Sequence, residues 1–207
     1  MLGRICLLGA AAVLGVSCSA AQPKITSPAA TPSISKLEAS VSSVQGLRTL
    51  AEQGQSEAQF NLGRSYEYGR GVPKDSAEAL RWYRLAAGQG DAFAQFDLGN
   101  HYSEGIGVSK SVKEAVRWWQ LAADQGFPPA QHSLGKMLAT GGESVPPDKI
   151  QSYIWLALSS AQGNDEARQE RDAIAKQLTP AQAAKAKQMV NQWKPVRAGD
   201  VVTRNSP

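Results

Sequence analysis

A period of 36 residues constrains this chain more than any other feature of its sequence. The stretch RWYRLAAGQG at positions 81–90 returns as RWWQLAADQG at positions 117–126. The pair Leu-Gly recurs with the same period at positions 62–63, 98–99 and 134–135. Self-similarity of this length is typical of solenoids, in which each unit buries its apolar side chains only by stacking on its neighbours. The sequence therefore predicts a stack of similar units.

Each unit is predicted to be a pair of helices. In the first unit, Ala58, Leu62 and Tyr66 follow one another at intervals of four residues and so share one helix face. The glycines of the following YGRGV segment can adopt the backbone conformations that a tight turn requires. Asp75, with Glu78 three residues later, predicts a capping box at the start of the second helix. The pattern predicts an all-α protein.

The ends of the stack are expected to be degenerate. Leu47–Gly54 matches the tail of a second helix, and Thr179–Gln182 predicts a capping box for a last helix that runs to about Trp193. The third unit departs from the others at Leu138 and Glu143, so its turn is expected to differ. The predicted boundaries are 37–194 for the repeat domain, with units at about 55–90, 91–126 and 127–163 and a degenerate pair at 164–193, and 195–207 for a disordered tail.

The first 21 residues have the pattern of a signal peptide. Arg4 precedes a twelve-residue apolar run, Ile5 to Val16, which is too short to span a bilayer. Two processing routes remain open: cleavage before Gln22, or lipidation at Cys18 within an imperfect lipobox. A tether rich in proline, serine and threonine follows at 22–36. We expect an exported bacterial protein in the periplasm, held at the outer membrane if Cys18 carries lipid.

The predicted folded part offers little chemistry. Both cysteines lie in the first 18 residues, which excludes a disulfide or thiolate metal site in the repeats. Catalytic motifs such as G-x-S-x-G, H-E-x-x-H and the P-loop are missing from the sequence. His101 and Glu104, three residues apart, are a weak metal pattern. We therefore predict no catalytic residues, no cofactor and no metal.

The repeat motif resembles a known family. The pattern A-x3-L-G-x2-Y-x2-G-x-G-V, followed by A-x2-W-Y-x2-A-A-x-Q-G, runs from Ala58 to Gly163, with a looser match from about Leu47 to Trp193. It resembles the Sel-1-like repeat family, a relative of the tetratricopeptide repeats. The resemblance implies a right-handed α-solenoid of helix-turn-helix repeats with a concave groove. It also implies an adaptor that binds other proteins or peptides.

The first helix of each unit is expected to line that groove, so its polar positions are the candidate contacts for a partner. The predicted groove residues are Asn61, Arg64, Ser65, Asp97, Asn100, His101, His132, Ser133, Lys136 and Met137.

Three functional hypotheses follow. The favoured one is a non-catalytic adaptor or scaffold of the cell envelope with a protein or peptide partner. The alternatives are a peptidoglycan-associated protein or cell-wall enzyme that holds glycan in the groove, and a secreted factor that meets host proteins. Six basic residues against one acid after Ala173 indicate either a solvated helix face or a patch for an anionic partner. Since no aromatic residues are interleaved with these charges as a nucleic-acid site requires, nucleic acid is not expected.

Overall fold

The computed structural model describes residues 43–197 and residue 200. The expected signal peptide at 1–21, the lipidation site Cys18, the tether at 22–36 and most of the expected tail lie outside the described residues. Nine helices account for most of the described part. They are α1 (Val44–Glu52), α2 (Ser56–Tyr68), α3 (Ser76–Gly88), α4 (Ala92–Glu104), α5 (Val112–Asp124), α6 (Pro128–Thr140), α7 (Lys149–Ala161), α8 (Asp165–Ala175) and α9 (Pro180–Gln192).

These helices form an all-α solenoid, which confirms the predicted fold class. The helices of each unit pack as the pairs α2–α3, α4–α5 and α6–α7, and each pair packs on the next. The degenerate helices close the stack: α1 packs on α2, and both α8 and α9 pack on α7. Among the described residues, no helix combines the length and apolar character needed to cross a membrane.

The recurring Leu-Gly pair is explained by the contact between the helices of one unit. Leu62 and Leu98 are fully buried in the core. The following glycine brings the first helix against the large side chain of the second, because a Cβ at Gly63 would lie 2.7 Å from the Tyr83 ring. At Gly99 the corresponding distance, to Trp119, is 2.3 Å. Each unit therefore needs glycine at this position to admit its partner side chain.

The turns within the units follow the prediction in the first two copies and differ in the third. Gly69 ends α2 in the left-handed conformation with φ of 67°. Asp75 caps α3 as expected, by accepting from the backbone N–H groups of Ala77 and Glu78. The Glu78 side chain does not return a bond; it pairs with Arg81 instead, so the predicted capping box is only half formed. In the third copy, Gly142 and Val145 form a bridge in the longer turn.

The C-terminal end contains the second predicted capping box and one departure. At the start of α9, the Thr179 side chain accepts the backbone N–H of Gln182, and the Gln182 side chain accepts the backbone N–H of Thr179, as predicted. The expected tail at 195–207 does not begin at 195, since the backbone N–H of Val196 donates to the carbonyl of Asp124 at 2.8 Å. The chain after α9 thus packs back on the turn between α5 and α6, where a Cβ at Gly126 would meet Trp193 at 3.5 Å.

Candidate functional site

The first helices of the three repeats share one continuous surface, which we call the first-helix surface (exposed or half-buried residues of α2, α4 and α6). Aromatic rings join its parts. The ring centroids of Phe60 and Phe93 lie 5.8 Å apart, and those of Phe93 and Phe127 lie 4.8 Å apart. Phe127 is also 5.5 Å from Phe96. Phe93 remains 56% exposed, so this aromatic row is accessible to a partner.

A row of nitrogen donors runs beside the aromatic rings. Arg64, Asn100 and Lys136 occupy the same helix position in consecutive repeats. The guanidinium of Arg64 lies 5.8 Å from the centroid of Phe60 and 5.7 Å from that of Tyr68, an arrangement that restrains its side chain.

The amide of Asn100 is oriented by the second helix of its own repeat. Its Oδ1 accepts the indole N–H of Trp119 at 3.1 Å. Because that indole can only donate, the bond fixes which end of the amide is the oxygen. The NH2 group of half-buried Asn100 is left as the donor end. The predicted groove residues Arg64, Asn100 and Lys136 are therefore all donors, two of them cationic.

A second row consists of Asn61, Asp97 and Ser133, which are all half-buried. Burial raises the pKa of Asp97 to about 6, and the negative charge of Glu67 adds to the effect. Asp97 is therefore the member of this row whose charge depends on pH near neutrality.

Two predicted groove residues lie in the interior, and we correct their assignment. Ser65 is 7% exposed, and its hydroxyl donates to the carbonyl of Asn61 at 3.0 Å. His101 is 2% exposed. Ser65 bonds within its own helix and His101 packs against neighbouring helices, so both are structural residues. Met137, at the equivalent position of the third copy, is half-buried and packs against the core.

His101 belongs to a buried polar network that connects three helices. Its Nδ1 lies 2.9 Å from the carbonyl oxygen of Ile106, so Nδ1 must carry a proton. Its Nε2 faces the carboxylate of Glu67 at 3.5 Å, and Glu67 also accepts a short hydrogen bond from the Tyr83 hydroxyl. The interaction with His101 lowers the pKa of Glu67. Burial opposes charge on His101, but the bonds to Glu67 and Ile106 outweigh it and raise the His101 pKa.

Four predicted residues line a pocket of about 530 Å³ at the end of the third repeat. They are His132, Ser133, Lys136 and Met137, joined by Trp119, Thr140 and Glu166. An ionic cluster lies at its edge. His132 Nε2 is 2.8 Å from Glu170 Oε2, and Lys136 Nζ is 3.4 Å from Glu166 and 3.5 Å from Glu170. The charge of Glu170 raises the pKa of Lys136. The sequence did not indicate this cluster, because the prediction did not place α8 against α6.

Comparison with known proteins agrees with this geometry. The Sel1 repeat family model matches residues 56–91, 92–127 and 128–164, which is more than half of the chain. A Sel1 repeat protein from Oxalobacter formigenes is 36% identical, with a TM-score of 0.59, over 63% of this chain and 97% of that one.

A second solved structure is similar over a longer part of this chain. It is c5321, a protective antigen with an SLR fold from uropathogenic Escherichia coli strains, which is 27% identical with a TM-score of 0.62. The match covers 72% of this chain but only 33% of c5321. No curated protein sequence matches significantly. With three matched repeats in an all-α solenoid, the chain belongs to the Sel1 repeat family, whose members are in general non-catalytic scaffolds for protein–protein interaction.

Proposed function

We propose that this chain is a non-catalytic adaptor of the bacterial cell envelope that binds a protein or peptide partner on the first-helix surface. The observation that carries the proposal is the row of Arg64, Asn100 and Lys136, which places a nitrogen donor at the same position of three consecutive repeats. A surface built by repetition suits an extended partner, because each repeat offers the same contact one step further along.

The chemistry of the surface indicates the chemistry of the partner. Arginine and lysine can only donate hydrogen bonds, and the oxygen of Asn100 is already occupied by Trp119. The row therefore fits a segment rich in acceptors, namely backbone carbonyls and carboxylates. Exposed Phe93 and Tyr68 beside it provide apolar area, and aromatic residues and arginine are enriched at protein interfaces.

Three of the five tryptophans are too buried to stack on glycan, so the exposed rings of this surface are those of Phe93 and Tyr68. Sugar rings commonly stack on exposed aromatic faces, but Trp82, Trp119 and Trp155 are 5–6% exposed. Their indoles pack between helices and are not available to a polymer. A peptide partner requires no such platform.

The envelope location rests on the first 21 residues. Their charged start, apolar run and small-residue cleavage region are those of a signal peptide, and Cys18 offers a site for lipid. The proline-rich segment 22–36 would hold the repeats away from the membrane. Metabolic labelling with a fatty acid, compared between wild type and Cys18→Ser, tests the anchor.

Site-specific photo-crosslinking in living cells tests the binding surface. Probes replace Arg64, Asn100 and Lys136, one at a time. The controls replace Arg81 and Arg117, which are exposed on second helices. We expect one protein to be crosslinked from all three first-helix positions and from neither control.

Crosslinks that are equal at Arg81 and Arg117 would contradict a specific first-helix surface. Crosslinks confined to a probe at exposed Lys187 on α9 would move the interface to the basic C-terminal helix.

A further inference from the structure

At the junction of α6 and α8, three side chains bring ligands for a transition metal to one place. They are His132 from α6 and, four residues apart on α8, Glu166 and Glu170. One ligand atom from each lies within 4.8 Å of the other two. Ligand atoms on a tetrahedral zinc ion, with bonds of about 2.0–2.2 Å, are separated by about 3.3–3.6 Å. Small side-chain rotations therefore suffice to close the three groups on an ion.

Two of the three corresponding positions are aromatic at the first junction, while that of Glu170 holds Asp97. His132 occupies the place of Phe60 and Phe96, and Glu166 occupies the place of Phe93. Where the first junction holds the Phe60–Phe93 ring contact, the last junction holds an imidazole facing carboxylates. The change does not improve packing, since it replaces an aromatic contact with groups that must be desolvated.

The cluster already holds a cation. The ammonium of Lys136 lies between the two carboxylates, 3.4 Å from Glu166 Oε1 and 3.5 Å from Glu170 Oε1. Lys136 is about half exposed, so its side chain can move into solvent when another cation enters. The imidazole nitrogen decides which cation fits, because calcium and magnesium prefer oxygen ligands while zinc accepts mixed nitrogen and oxygen sets.

We propose that His132, Glu166 and Glu170 bind one zinc-type divalent ion, which displaces the ammonium of Lys136 and leaves a coordination position open. The ion ties α8 to α6 beside the pocket lined by Trp119 and Met137. This site shares Lys136 with the partner surface proposed above, but zinc binding needs no bound protein, so the two proposals can fail separately.

Zinc titration of the untagged protein by calorimetry and thermal unfolding tests the proposal. We expect one Zn²⁺ per chain and a higher Tm with zinc. His132→Phe restores the residue of the first two repeats and should therefore fold, and Glu170→Gln preserves shape. Each should weaken zinc binding by at least about tenfold, because one of three protein ligands is lost. Glu57→Gln is the matched control, since exposed Glu57 holds the position of Glu166 in the first repeat.

Lys136→Gln separates a metal site from a purely structural ion-pair cluster. It removes a competing cation, so zinc should bind several-fold more tightly while the stability of the zinc-free protein does not rise. The absence of a zinc isotherm in the wild type, or equal affinity in wild type and His132→Phe, would overturn the proposal. Equal losses of zinc affinity in Glu57→Gln and Glu170→Gln would also overturn it. So would weaker zinc binding by Lys136→Gln than by the wild type.

Discussion

The side-chain amide of Gln125 donates a hydrogen bond to the side-chain oxygen of Gln95 at 2.8 Å. Gln95 in turn donates to the carbonyl of Ala87 at 3.2 Å, at the end of the preceding repeat. Gln95 is 1% exposed; its bond to Ala87 is buried and its bond to Gln125 is partly buried. One side chain thus joins the end of one repeat to the end of the next.

The arrangement recurs at every junction of the stack. The side-chain oxygen of Gln59 accepts a hydrogen bond from Gln89 at 2.7 Å, and that of Gln131 accepts one from Gln162 at 3.0 Å. This explains the Gln-Gly that closes each repeat: the glutamine reaches back, and the glycine at 90 turns the chain with φ of 92°. The stack is therefore held by polar bonds as well as by apolar packing.

Gln95→Leu tests this bond network. Leucine keeps most of the volume but removes the hydrogen bonds that Gln95 makes to the carbonyl of Ala87 and to Gln125. The Ala87 carbonyl keeps its bond from the backbone N–H of Gly90. Each lost hydrogen bond is worth about 0.5–1.5 kcal/mol, so the free energy of unfolding should fall by about 1–3 kcal/mol in urea titrations. Gln169→Leu, at an exposed position of α8, is the control and should change it by less than about 0.5 kcal/mol. Equal stability of Gln95→Leu and wild type would show that packing alone joins the repeats.

Gly99→Ala tests the contact that explains the Leu-Gly pair. The new Cβ would lie 2.3 Å from Cδ1 of Trp119, so the indole must shift and lose its bond to Asn100. Overpacking of this kind costs about 1–3 kcal/mol, measurable as a lower urea midpoint. Gly88→Ala is matched, because it is also a helical glycine but has nothing within 4 Å of a Cβ. Alanine there should be neutral or stabilise by up to about 1 kcal/mol. A loss of stability in Gly88→Ala as large as that in Gly99→Ala would contradict the packing argument.

Periodicity predicts the helices, since a repeated pattern of small and large residues shows which faces meet. Gln59, Gln95 and Gln131 also recur with a period of 36 residues, but periodicity alone does not show that they bond to the glutamine of the closing Gln-Gly. The burial of His101 could not be read from its own helix. It depends on two other helices, which supply the carboxylate of Glu67 that faces its imidazole and the ring of Tyr83 that packs against it.

The His101–Glu67 ion pair should make stability depend on pH. The His101 pKa is raised above its usual 6.5, so its contribution is complete below pH 6.5 and is lost as the pH rises through the folded-state value. The Glu67 pKa is lowered below 4.5, so its contribution is present above pH 4.5 and is lost as the pH falls through the folded-state value. The pair therefore stabilises most between pH 4.5 and 6.5.

His101→Met, which introduces the residue of the third repeat, isolates this effect. Urea unfolding from pH 6.5 to about 9 should show a decline in wild-type stability that the variant lacks. Asp97, which also faces the imidazole, is half-titrated at about pH 6, so only the end of its titration falls in this range and adds little to the slope. A parallel decline in both proteins would assign the slope to a group other than His101.

Asp97→Asn should stabilise the protein at neutral pH. With a pKa of about 6 in place of 3.8, the folded state holds this proton more tightly than the unfolded chain, so stability falls as the pH rises from 3.8 to 6. Asparagine, which stands at the equivalent position 61, removes the buried charge. The expected gain at pH 7.5 is roughly 1–3 kcal/mol, and it should vanish near pH 4. Glu143→Gln, at an exposed turn position, should show neither change.

The same variant separates folding from binding. A carboxylate retained on the first-helix surface at a cost in stability is expected where it contacts a ligand. We therefore expect Asp97→Asn to unfold at higher urea at pH 7.5 while the crosslink from position 100 weakens. A stabilised variant with undiminished crosslinking would remove Asp97 from the binding surface and leave the donor row to act alone. A variant less stable than wild type at pH 7.5 would instead contradict the burial of an unfavourable charge at this position.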